Sequence, residues 1–156
     1  MPRADSHRAT TVAIAFDLIY PHSKGGGERQ YRAFAEELAR IGFSVDYLTS
    51  DQPSEYADPD TFRLVTVSPS LRLYDKAGVR RSAAALRYAW GLFLALARSR
   101  RKYGAVMVSS TPVLNVFAAR VALLGSGTRV IVDYLEVWDR PKWIEYAGRP
   151  TGFVAW

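Results

Sequence analysis

Five short apolar runs, "TVAIAFDLIY", "FSVDYLTS", "TFRLVTVS", "YGAVMVSS" and "TRVIVDYL", punctuate the chain between Thr11 and Leu135. They are rich in β-branched and aromatic residues, and mostly continuous rather than alternating. That is the pattern of strands covered on both faces. Helix-forming stretches separate them, apart from a direct link between the second and third. This alternation predicts an α/β fold: a Rossmann-like, doubly wound, mostly parallel sheet with helices on both faces. With 156 residues, 49% hydrophobic and 23% charged, the chain is long and apolar enough for one domain with a sizeable core. Residues 1–10 are polar and basic and are expected to form a flexible tail, leaving 11–156 as the domain.

The helices carry their own signals. In "ERQYRAFAEELARIG", Tyr31, Phe34, Leu38 and Ile41 recur at spacings of three and four, a stripe for one buried face. Glu28 at its start and Arg40 near its end suit the helix dipole, and Gly42 suits a C-terminal cap. A long helix is expected between Val79 and Lys102. "TPVLNVFAARVALLG" reads as another, with Thr111 as its cap and Pro112 in its first turn. "EVWDRPKWIEYAGRPTGFVAW" opens a further helix and stops on an apolar stretch. That ending predicts a truncated domain, or apolar surface through which the chain dimerises.

The most distinctive short segment is "PHSKGGGERQ", Pro21 to Gln30, between the first strand and the first helix. A Walker A loop needs glycines bracketing four residues and then Lys-Ser/Thr. Here Lys24 precedes the glycines and Glu28 follows them. The dinucleotide fingerprint needs a third glycine where Gln30 stands, and a tighter turn than the lead-in before Gly25 allows. General physics still applies: Gly25, Gly26 and Gly27 permit close backbone approach, and the helix start favours an anion. Glu28 would compete with a phosphate, cap the helix, or accept sugar hydroxyls. The plain alternative is a mobile connecting loop.

Other polar groups fall at the same end of the expected sheet, where doubly wound folds bind ligands. The fourth strand ends in "SSTP", offering Ser109, Ser110 and Thr111, and the fifth in "DYLEVW", offering Asp133 and Glu136. His22 lies in the glycine loop. Structural roles compete for each: Thr111 as a cap, Asp133 bonding backbone, His22 as an exposed loop residue. The chain lacks cysteine, which removes disulfides and thiolate metal sites and fits a reducing compartment. Neither His7 nor His22 has a neighbour at ligand spacing, so no metal or other cofactor is expected. No secretory signal pattern opens the chain.

The segment "GGGERQYRAFAEELARIGFSVDYLTS" after the first strand resembles the opening of GT-B glycosyltransferases of the retaining family 4 type. "VMVSSTPVLNVFAARVALL" and "VIVDYLEVWDRPKWIEYAG" are similar to two later landmarks, so the resemblance runs from about Val12 to Gly148. No single motif is diagnostic; order and spacing carry it. The resemblance implies two Rossmann-like domains and a cleft between them, with this chain as the N-terminal, acceptor-side one. The C-terminal domain, which binds most of the nucleotide sugar and carries glutamates in an E-x7-E pattern, has no counterpart here. The chain alone is therefore expected to be inactive, needing that domain or a partner chain.

The resemblance also assigns roles. Gly25, Gly26 and Gly27, with Glu28, would meet the donor diphosphate or transferred sugar. His22, Ser109, Ser110 and Thr111 would line the acceptor cleft. Asp133 and Glu136 would be the catalytic or acceptor-orienting carboxylates. Relatives often carry histidine where "SSTP" and Leu135 stand, which puts a histidine catalyst in doubt.

The net charge of +6 and pI of about 9.8 favour anionic partners. In "RRSAAALRYAWGLFLALARSRRK" the apolar stretch is interrupted by Arg87 and too short to span a bilayer. It reads either as a crossover helix packed on the sheet or as an interfacial helix drawn to anionic lipid. Nucleic acid is not expected, because no recognition motif accompanies the charge. The function expected is transfer of a sugar from a nucleotide-sugar to an acceptor, often lipid-linked in such enzymes, in the cytoplasm or peripherally on the inner face of the plasma membrane. The alternative is a non-catalytic Rossmann-like module that binds an anionic or nucleotide ligand.

Overall fold

The computed structural model describes residues 11–52, 59–70, 81–134 and 139–147. Five strands form one sheet: β1 (Thr11–Ala15), β2 (Ser44–Ser50), β3 (Arg63–Ser68), β4 (Ala105–Ser109) and β5 (Arg129–Asp133). Their order is β3-β2-β1-β4-β5, and every neighbouring pair is parallel, as the continuous apolar runs require. Helix α1 (Gly26–Arg40) backs one face; α2 (Ser82–Arg98) and α3 (Leu114–Ala122) back the other; α4 (Arg140–Ala147) follows β5. This is the doubly wound arrangement the sequence predicts. Because α2 carries the chain across the sheet from β3 to β4, the segments leaving β1 and β4 turn to opposite faces. That divergence opens a crevice at the strands' carboxyl ends.

Each face has its own core. On the α1 side Ile14, Phe16, Ile19 and Tyr47 meet Tyr31 and Ala35. Phe62, at the end of the β2–β3 link, packs on Tyr47 with ring centroids 5.7 Å apart. On the other side Ala13, Ala15, Val106 and Val108 receive Tyr88, Leu92 and Leu96 of α2 and Ala119 of α3. The small alanines let the helices approach the sheet. Closest of all is Gly91, where a Cβ would stand 2.0 Å from the Val67 carbonyl oxygen.

The helix ends settle several expectations. Gly42 does cap α1. With φ of 99° it lets its own N–H reach the Ala39 carbonyl and that of Phe43 reach Leu38, a Schellman turn. The same turn carries Ile41 off the helix, so Ile41 is exposed rather than part of the buried stripe; Ala35 takes that place. Thr111 does not cap α3. The Ser109 hydroxyl takes the Thr111 N–H, the Thr111–Pro112 peptide is cis, and α3 begins only at Leu114 after bonds from Asn115 and Val116 to Pro112 and Val113. At α4, Asp139 caps instead, accepting the Lys142 N–H at 3.0 Å.

The amino ends of the strands carry an ion cluster. Buried Asp46 accepts from Arg63 at 2.9 and 2.7 Å, from Tyr103 at 2.8 Å and from Lys102. Burial pushes its pKa up, but those three donors outweigh burial and hold it at about 2.

Candidate functional site

The loop from β1 to α1 is built more tightly than its glycines suggest. The Tyr47 hydroxyl donates to the Leu18 carbonyl at 2.9 Å, and the Arg32 guanidinium donates to that of Tyr20 at 2.9 Å. Ile19 is buried, Ser23 N–H bonds the Ile19 carbonyl at 2.9 Å, and Arg29 lies over the Tyr20 ring at 4.8 Å. These ties brace both arms of the turn against β2 and α1.

Glu28 completes the loop. Its carboxylate is buried and accepts from the Ser23 hydroxyl at 2.9 Å. A Cβ on Gly25 would stand 2.1 Å from the same carboxylate. Gly25 is therefore needed to let Glu28 fold back against its own backbone. Gly25 is also the N-cap of α1 and offers no side-chain bond, while Gly26 is exposed with open space about it. The first helical N–H groups of α1 thus lie beside a glycine surface at the crevice mouth. His22 is half-buried in the same loop.

Opposite the loop stand the ends of β4 and β5. Ser109 pairs with Asp133 in the ladder, and Ser110 N–H bonds the Asp133 carbonyl at 2.9 Å. The fully buried Ser109 hydroxyl donates to the Thr111 carbonyl at 3.0 Å while accepting its N–H at 3.1 Å. Ser109 therefore shapes the turn, whereas Ser110 and Thr111 are partly accessible. The Tyr31 hydroxyl reaches across from α1 to donate to Asp133 Oδ2 at 3.0 Å. Burial first, then the Asp133 charge, raise the Tyr31 pKa; the Ser109 hydroxyl pulls the other way. Tyr31 thus stays a neutral donor and orients a half-buried carboxylate.

The structure brings Gly25, Gly26, Gly27, Glu28, His22, Ser109, Ser110, Thr111 and Asp133 to the carboxyl end of the sheet's strands. Glu136 lies outside the described residues, as does Leu135. Sequence reasoning missed three polar groups. Tyr31 was legible only as part of a stripe. Asp17, 1% exposed, ends the β1 run; its carbonyl accepts from the Ser50 hydroxyl and from Gln52. Asn115 is 1% exposed in α3, and its Oδ1 has no hydrogen-bond partner among the described residues. A charge breaking an apolar run, and an amide inside an apolar helix, are the signals that point to the last two. Among the described residues, no group of three or more His, Asp or Glu is placed to hold a metal, and no helix is long and apolar enough to cross a membrane.

The arrangement offers backbone N–H groups, hydroxyls and one oriented carboxylate, a set suited to a polyhydroxylated or phosphorylated ligand. The family model of the glycosyl transferase 4-like domain matches residues 25–156. A search of curated proteins returns no match.

Proposed function

Because the chain belongs to the glycosyl transferase 4-like domain family, we propose that it forms the acceptor-side half of an enzyme that moves a sugar from a nucleotide-sugar to a lipid-linked acceptor at the cytoplasmic face of a membrane. The observation that carries this reading is the convergence of three strand ends on one crevice: the braced glycine loop, the Ser109–Thr111 turn and Asp133. Gly25, Gly26 and Gly27 meet the donor diphosphate or the transferred sugar, where the start of α1 favours negative charge. Glu28 sets the shape of that loop. His22, Ser110 and Thr111 line the acceptor side.

Asp133, oriented by Tyr31, polarises the acceptor hydroxyl, and Glu136 is the second candidate. The acceptor oxygen bonds to the anomeric carbon as the bond to the diphosphate breaks, and the diphosphate leaves with the electron pair and takes up the acceptor hydroxyl's proton. A further domain or a partner chain supplies the rest of the donor site, so this chain alone transfers no sugar.

The test incubates the chain with and without its donor half, using labelled nucleotide-sugars and lipid acceptors. Transfer is expected only when both halves are present. Asp133→Asn should lower it on the order of a hundredfold, the scale of a positioned acid–base group. Tight binding of a nucleoside diphosphate by this chain alone would contradict the division of the site. Full activity of Asp133→Asn would remove Asp133 from the chemistry.

A further inference from the structure

The two faces of the sheet are charged very differently. Nine of the 21 Lys and Arg residues, and none of the 15 Asp and Glu, fall between Ala77 and Val132, although Lys102 pairs with Asp46 and Arg129 lies on the α1 side beside Phe34 and Glu37. Helices α2 and α3 both lie in that stretch, so every charged side chain on them is an arginine: Arg87, Arg98 and Arg120. Among the described residues these three make no ion pair. Helix α1, on the other face, carries three glutamates and three arginines, two of which pair as Arg32–Glu36 and Arg40–Glu37.

The same cationic layer exposes apolar side chains in rows. On α2 the outward stripe runs through the exposed Leu86, Arg87, Trp90 and Arg98, with the half-buried Leu94 between the last two, at helical spacing. Trp90 is 61% exposed and stacks on Phe93 at 5.4 Å. On α3 the outward row is Leu114, Phe117 and Val121, continued just past the helix end by Leu124, with Phe117 62% and Leu124 76% exposed. The helices pack side by side on one sheet face, so the two rows form one surface. It begins at Val113 and Leu114, beside the Ser109–Thr111 turn.

Large apolar groups left in water beside unpaired arginines mark a contact surface. A second copy of this chain is a poor occupant, because two such faces would bring like charges together. Nucleic acid would answer the arginines but not the rows of Leu86, Val121 and Leu124. An anionic bilayer answers both: headgroups take the guanidinium charge while Trp90, Phe117 and the aliphatics enter the acyl boundary. No described helix can span, so the contact is interfacial.

We infer that the α2–α3 face docks this protein on an anionic lipid surface. The docking surface is distinct from the loops of the site, and its test reads no transfer activity. The full chain is floated with vesicles of phosphatidylcholine, with or without phosphatidylglycerol, at low and high salt. It should float with the mixed vesicles at low salt and stay behind with phosphatidylcholine alone. Arg87→Glu with Arg120→Glu should weaken binding more than about tenfold, and Trp90→Ala or Phe117→Ala should weaken it several-fold, with circular dichroism unchanged. Arg29→Glu with Arg40→Glu changes net charge equally on the α1 side and should cost far less.

Four results would overturn the inference: no flotation with anionic vesicles, equal loss from the two charge reversals, tighter binding to a duplex oligonucleotide than to vesicles, or a dimer that the Phe117 variant dissolves.

Discussion

Gly91→Ala tests how closely α2 sits on the sheet. In an isolated helix the change would help, since alanine is favoured over glycine by about 1 kcal/mol. Here the new Cβ would lie 2.0 Å from the Val67 carbonyl oxygen, 2.9 Å from its carbon and 3.4 Å from Ser68 Cβ. Ordinary contact needs roughly 3.5 Å, so α2 must rise by more than about 1 Å over β3. That motion strains its neighbours. Tyr88 and Leu92 flank Gly91 and are fully buried, and the Tyr88 hydroxyl donates to the Leu48 carbonyl at 2.7 Å. Overpacking costs about 1–3 kcal/mol, and a weakened buried hydrogen bond adds about 1 kcal/mol. Net of the propensity gain, we expect a loss of about 1–3 kcal/mol. For a chain of this size that lowers Tm by roughly 2–12 °C. Thermal and urea melts followed by circular dichroism read it directly. Gly26→Ala is the control, because Gly26 begins α1 with nothing within 4 Å of a built Cβ, and it should be neutral or stabilising. A Gly91→Ala melt at or above that of the parent would refute the close approach.

Three further perturbations follow from the described contacts. The depressed Asp46 pKa means its stabilisation is present above the ordinary carboxylate range and is lost as pH falls through about 2. Allowing for solvent at Arg63, it amounts to about 1–2 kcal/mol, and urea midpoints of Asp46→Asn should be lower near neutrality and flatter between about pH 4 and pH 2; an unchanged acid slope would argue against it. Tyr31→Phe keeps the ring stack on Phe16 at 4.3 Å but removes the donor to Asp133. It should cost about 1–3 kcal/mol by equilibrium unfolding, and a neutral result would mean the bond is idle. Glu28→Ala frees the Ser23 hydroxyl, so amide exchange across Ser23–Gly27 should quicken while Tm moves little; unchanged exchange would show that the loop is held without the carboxylate.

The strands and helices were legible because their determinants are local. Continuous Val- and Ile-rich runs mark buried parallel strands, and Gly42 marks the end of α1 through its positive φ. The misses trace to contacts that spacing does not encode. Thr111 looks like a cap until the Ser109 hydroxyl claims its N–H. Ile41 looks like the last member of a stripe until the Schellman turn carries it outward. The mobile alternative for the glycine loop stays open in the sequence because its anchors, Tyr47 and Arg32, belong to other elements. Tyr31 and Asp133 are 102 residues apart, and nothing in either segment announces their bond. The strand-end rule for doubly wound folds pointed to the crevice, yet the bracing of the glycine loop by Glu28 depends on a fold-back that spacing does not encode.

The Asp46 cluster lies toward the amino ends of the strands: Asp46 is level with Ala13, Val106 and Val130 in the sheet, so Asp133 stands three residues further along, about 10 Å, and three strands across. Sites so separated, with no shared partner, change folding free energy independently. Substitutions at Arg63 or Lys102 can therefore serve as a calibrated dial. Setting global stability at one pole, and asking whether the Tyr31 and Glu28 effects keep their size at the other, separates what those residues do for the crevice from what they do for the fold.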